Sequence, residues 1–127
     1  MTVVVAYADT PPGQRAVATA ATGEWARADE RVVLVPAVRG EQCPDVAEVE
    51  RRWPALAGRV EVVRGDVGDP GDAVVQVAQR HDARMVVLGL RHRSAVGKLV
   101  FGSTAQRILL GATCPVLTVK PDGAPGA

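Results

Sequence analysis

The chain has two cysteines only, Cys43 and Cys114, far apart and in no Cys-x-x-Cys pair. That excludes a disulfide framework and a cysteine-based metal knuckle. Lysine is equally scarce, Lys98 and Lys120 against thirteen arginines, a bias that codon composition explains. Charge of one sign is also missing: 15 basic residues face 14 acidic ones, for a net +1. A general nucleic-acid binder needs a marked basic excess to neutralise phosphates, so that class is excluded. No run approaches the ~20 apolar residues of a membrane helix. The apolar start, Met1–Tyr7, is short, has no basic leader, and soon meets Pro11-Pro12-Gly13, so it does not read as a signal peptide. No membrane partner is expected, and the cytoplasm is the default compartment for such a sequence. Equally, no Ser/His/Asp set, Cys/His set or carboxylate dyad can be assembled, and no catalytic residue is assigned.

What is present is enough for a core. Hydrophobic residues make up 47% of the 127 and charged ones 23%, the balance of a folded domain and not of a disordered segment. Five Val-rich apolar runs read as strands covered on both faces: Val3–Tyr7, Val32–Val38, Val60–Val63, Met85–Leu88 and Val116–Val119. Helical patterns separate them. Val17, Ala20, Ala21 and Trp25 share one face; Asp45 and Glu48 stand in capping-box spacing ahead of Val46, Val49 and Trp53. Asp69 as N-cap with Pro70 behind it opens a third helix, presenting Val74, Val77, Ala78 and His81. A fourth starts near Gly102-Ser103, buries Ala105, Ile108 and Leu109, and stops around Gly111. Strict β-α alternation gives one α/β domain over residues 1–120, a three-layer α/β/α sandwich on a five-stranded parallel sheet, with 121–127 as a disordered tail. Ligands of such folds sit beyond the carboxyl ends of the strands, where the strand order reverses.

The stretch from Gly89 to Thr104 carries the most chemistry. Glycines, Arg91, His92, Arg93 and Lys98 lead into a helix start at Gly102-Ser103-Thr104. Gly102 gives an anion access to the backbone, the free amides of the first turn face outward, and two hydroxyls add donors. This is the equipment of a phosphate site at a strand–helix turn. It is neither a Walker A loop, since Leu99 follows Gly97-Lys98, nor a G-x-G-x-x-G fingerprint.

Val86-Val87-Leu88-Gly89, the loop after it, Gly102-Ser103-Thr104-Ala105-Gln106-Arg107-Ile108-Leu109-Leu110 and Cys114-Pro115-Val116-Leu117-Thr118-Val119-Lys120 together resemble the universal stress protein family. The likeness extends to Asp9-Thr10-Pro11 after the first strand and Gly65-Asp66 after the third. It implies a Rossmann-like fold of the adenine nucleotide alpha hydrolase type, and a cytoplasmic stress-response module binding ATP or another adenine nucleotide as a signal. The implied contacts are Gly89, Arg91, His92, Gly102, Ser103 and Thr104, with Asp9 or Thr10 approaching from the facing loop. In the family's ATP binders the loop reads glycine, two residues, glycine, nine residues, glycine, then Ser or Thr. This chain keeps the spacing and has His92 at the second glycine. Aligning Thr10-Pro11 puts Ala8 where those binders carry an Asp, with Asp9 one residue late. The family commonly dimerises through its last strand, which implies a homodimer along Val116–Val119.

Plainer readings stand beside these. Asp66, Asp69 and Asp72 have chelating spacing, but a helix cap and first-turn charge account for two of them, and no metal is expected. Cys114 before Pro115 suits a buried thiol, whereas Cys43 sits in a loop and is expected to be exposed. Arg51-Arg52 reads as a solvated face, and Asp9 ahead of Thr-Pro-Pro-Gly is also an ordinary turn former. The alternative function is a dimeric interaction module that binds no nucleotide and works through protein partners.

Overall fold

The computed structural model describes residues 1–65, 67–90 and 102–120, and the backbone of 92–93 and 99–100. Five parallel strands form the sheet: β1 (Thr2–Tyr7), β2 (Arg31–Pro36), β3 (Val60–Val62), β4 (Met85–Gly89) and β7 (Val116–Val119), in the order β3-β2-β1-β4-β7. Four helices connect them: α1 (Pro11–Thr22), α2 (Val46–Arg52), α3 (Pro70–Arg80) and α4 (Ser103–Gly111). A 3-10 turn, Pro54–Leu56, precedes β3. The five strands and four helices stand where the apolar runs and helix signals place them. Between β4 and α4 the backbone of β5 (His92–Arg93) pairs antiparallel with β6 (Leu99–Val100), a pairing the loop-like sequence did not announce. Residues 121–127, expected to form a tail, lie outside the described residues.

Each central strand is divided between two cores by its period of two. Val3, Val5 and Tyr7 pack with Ala16, Val17, Ala20, Val49 and Leu56 on the face covered by α1 and α2. Val4 and Ala6 pack with Val74, Val77, Ala78 and Ile108 on the face covered by α3 and α4. With apolar side chains sealed on both faces, each contributing roughly 1.5–3 kcal/mol, the strands have no polar side to show.

The structure departs from the sequence pattern at several residues. α1 ends at Thr22 with Gly23 as its C-cap, where a Cβ would press on the Thr19 carbonyl, so Trp25 falls beyond the helix and is 56% exposed. Leu109 faces outward from α4 and Leu110 is 88% exposed, leaving Ile108 as the buried anchor. Cys43 is not an exposed loop thiol. It packs in the α1/α2 core, where burial pushes its thiol up to about 12. Asp45 caps α2 through the Glu48 amide, while the Glu48 carboxylate turns away to Arg51. Arg52 is not simply solvated: its guanidinium lies 4.5 Å from the centre of the Trp53 ring.

This topology fixes one crevice. From β1 the chain moves outward through β2 and β3, then returns to lay β4 against the other side of β1. The helices leaving β1 and β4 thus cover opposite faces, and the sheet is open between them at its carboxyl end.

Candidate functional site

A pocket of about 220 Å³ occupies that opening. Ala6 and Ala8 line it from β1 and its exit, and Leu88, Gly89 and Leu90 from β4 and its exit. Ala37 and Val38 follow β2 and form a further wall; Gly102, Ser103, Thr104 and Ala105 bring the first turn of α4 to the mouth. The walls are small and apolar, and the polar groups gather at one end, a division suited to a flat ring with an anionic substituent.

The polar end follows from how the helices begin. Thr10 caps α1, accepting from the Gly13 amide at 3.2 Å, while Pro11 and Pro12 have no N–H to offer. Asp45 caps α2 and Asp69 caps α3, accepting from Glu48 and Asp72 at 2.8 and 3.0 Å. α4 differs: its N-cap is Gly102, which has no side chain to cap with, and no acidic residue stands in its first turn. Its first internal bond is from the Gln106 amide to the Gly102 carbonyl, 3.0 Å. The amides of Ser103, Thr104 and Ala105 therefore have no intrahelical acceptor and present the positive end of the helix at the pocket.

The residues singled out in the sequence divide accordingly. Gly89, Gly102, Ser103 and Thr104 come together around the pocket. Asp9 and Thr10 are not among its lining. Thr10 is taken up by the α1 cap, and the exposed Asp9 accepts from Gln14 Nε2 at 2.9 Å while its amide donates to Glu41 Oε1 at 2.6 Å. Ala8 holds the place at the end of β1. Arg91 and the His92 side chain lie outside the described residues.

Two glycines act differently from one another. A Cβ on Gly102 would meet nothing within 4 Å, so this end stays open to a ligand. A Cβ on Gly89 would strike the Pro12 carbonyl, and one on Gly13 would strike Ala8. These two let the first turn of α1 close onto the ends of β1 and β4, which shapes the pocket floor. The sequence reading missed Gly13 and the Ala37–Val38 wall. Their signal was size, small residues clustered where Val-rich strands run out.

Asp69 and Asp72 face Arg107, and among the described residues no three candidate metal ligands converge. No described helix is long and apolar enough to cross a membrane.

The family model for universal stress proteins matches residues 40–120. A universal stress protein of Mycolicibacterium smegmatis is 34% identical over 135 residues, covering 95% of this chain and 98% of its own. Among solved structures, a universal stress protein from Archaeoglobus fulgidus superposes with a TM-score of 0.66 at 27% identity, over 94% of this chain and 97% of that one. A structure of the Archaeoglobus fulgidus protein in complex with dAMP gives the same TM-score, 0.66, at 22% identity over 94% and 96%.

Proposed function

The chain belongs to the universal stress protein family, and on that premise we propose that this stress-response protein binds an adenine nucleotide in the β1–β4 pocket, as a signal and without obligatory turnover. The observation that carries the reading is the uncapped start of α4 opening into a pocket at the point of strand reversal. A phosphate placed there takes the amides of Ser103, Thr104 and Ala105, the two hydroxyls and the helix dipole. The adenine ring then lies against Ala6, Ala8, Ala37, Val38 and Leu88, apolar contacts that fit a base. The dAMP complex of the Archaeoglobus fulgidus relative supports the choice of nucleotide.

The test is to denature the purified protein, identify any released small molecule by mass spectrometry, and titrate the apoprotein with ATP and AMP by calorimetry. Bound adenine nucleotide, or micromolar affinity (about −8 kcal/mol), is the expected result. Silence up to millimolar nucleotide overturns the reading and leaves a protein-interaction module in its place.

We propose further that two copies pair along β7, in the cytoplasm. β7 bonds to β4 alone in the sheet, and its four residues are only half-buried. The Val86 amide donates to Pro115 and the Leu90 amide to Val119, so alternation turns the amides of Val116 and Thr118 away from β4. Such an edge is a template for a second copy. Thr118→Pro removes an outward amide and keeps the β4 ladder. It is expected to convert a dimer to a folded monomer in sedimentation equilibrium, and an unchanged mass would refute the pairing.

A further inference from the structure

Around the pocket the elements are tied to one another by charge as well as by packing. On one side Glu41, in the loop after β2, accepts the Asp9 amide at 2.6 Å and so holds the exit of β1. Two residues earlier in that loop, directly after the pocket-lining Val38, Arg39 Nη2 stands 3.6 Å from Asp69 Oδ2. On the other side Arg107, four residues after Ser103 on α4, places Nε 3.7 Å from Asp69 Oδ1 and Nη1 3.1 Å from Asp72 Oδ1. The stem of Arg107 lies across Gly71, close enough that a Cβ there would press on its Cβ at 2.9 Å. Asp69 is thus placed between two cations carried by opposite walls, Val38 and the loop after it, and the first turns of α4.

We propose that Asp69 is a positioning residue for the pocket: its carboxylate, held by the start of α3, ties the Val38 wall to the α4 wall and sets the gap between them. The inference rests on the nucleotide reading of that pocket and deepens it, since the gap decides whether the base and the phosphate end are engaged together. Arg39 and Arg107 are exposed, so each pair by itself is weak. Their effect lies in joining at one carboxylate that the Asp72 amide already fixes. That amide, then Arg107 and Arg39, hold the Asp69 carboxyl below its ordinary range.

Asp69→Asn separates the two duties of this residue, because Asn caps a helix as well as Asp does but carries no charge. The full chain is used. Two readouts are compared with the wild type: backbone order at Val38–Gly40 and Ser103–Gln106 from nitrogen relaxation, and ATP affinity from calorimetry, with the melting temperature as a control. Expected are an unchanged melting temperature, order parameters falling at both walls from about 0.85 towards the flexible range, and ATP binding weaker by about three- to tenfold. Arg107→Gln is expected to reproduce these changes, the double variant to add little to either, and Arg107→Lys to restore the wild-type values. Unchanged order at both walls overturns the proposal, and so does loosened order with unaltered ATP affinity. If the wild type itself binds no nucleotide, the reading of the pocket falls, and the relaxation data alone decide for or against Asp69.

Discussion

The two ends of the sheet use charge in opposite ways. At the amino end, Glu30 is 2% exposed and receives two bonds of 2.7 Å from Arg84, which also donates to the Trp25 carbonyl at 3.0 Å. Arg59 reaches the carbonyls of Ala21, Arg27, Glu30 and Ala55 at 2.8–3.1 Å. Polar groups there are spent on one another, and the loop from Gly23 to Glu30 is stitched to the starts of β3 and β4. At the carboxyl end the opposite holds. Among the described residues, the pocket lining carries no charged side chain, and one helix start has no acceptor of its own for its first amides. A fold positions a ligand where its own polar groups remain unpaired, and buries its charges where they complete one another.

That contrast can be broken most severely at the amino end. Arg84→Ala leaves the Glu30 carboxylate without its partner in a buried place, and is expected to cost about 3 kcal/mol in chemical denaturation while ATP affinity stays at the wild-type value. At the carboxyl end, Gly89→Ala forces a methyl against the Pro12 carbonyl. A loss of about 2 kcal/mol is expected, here together with a large loss of nucleotide binding, because α1 must lift from the pocket floor. If stability falls in that variant with binding intact, the floor is not where it has been placed. The mildest prediction concerns acid. Bonding from Arg84 holds the Glu30 carboxyl below its ordinary value of 4.5, so the unfolded chain binds the extra proton first. The stability this gives is complete above that value and is lost as the pH falls through the lower folded one. Unfolding measured from pH 6 down to pH 3 should therefore depend less steeply on pH in Glu30→Gln than in the wild type; parallel curves would show that Glu30 is not the group responsible.

Most of the scaffold was legible because it rests on local signals. Runs such as Val3–Tyr7 and Val32–Val35 have one reading in an alternating chain, and Asp69-Pro70 states the start of α3 outright. Half of the site was legible for the same reason: Gly89, Gly102, Ser103 and Thr104 lie at a strand end and a helix start, which sequence marks well. Asp9 and Thr10 show where such reading stops. Both belong to the right loop, but whether a side chain enters the crevice or caps its own helix depends on a rotation of one residue. Ala8 took the inward position, and Thr10 was drawn to the Gly13 amide. Trp25 and Leu109 failed similarly, since periodicity continues on paper past the point where Gly23 ends a helix, or where no neighbour covers a face.

The order of elements, the parallel sheet and the end of the sheet at which the pocket opens can be read from local stretches of sequence, because apolar period and capping chemistry act over a few residues. Which side chains surround the pocket, and which charges are shared across it, depends on contacts between elements far apart in the chain. Ala37, Gly13 and Ala105 come from separate elements, and Arg39, Asp69 and Arg107 meet across 68 residues of chain. Such meetings depend on how helices settle on a twisted sheet, a balance of many packing contacts that no short stretch of sequence carries alone.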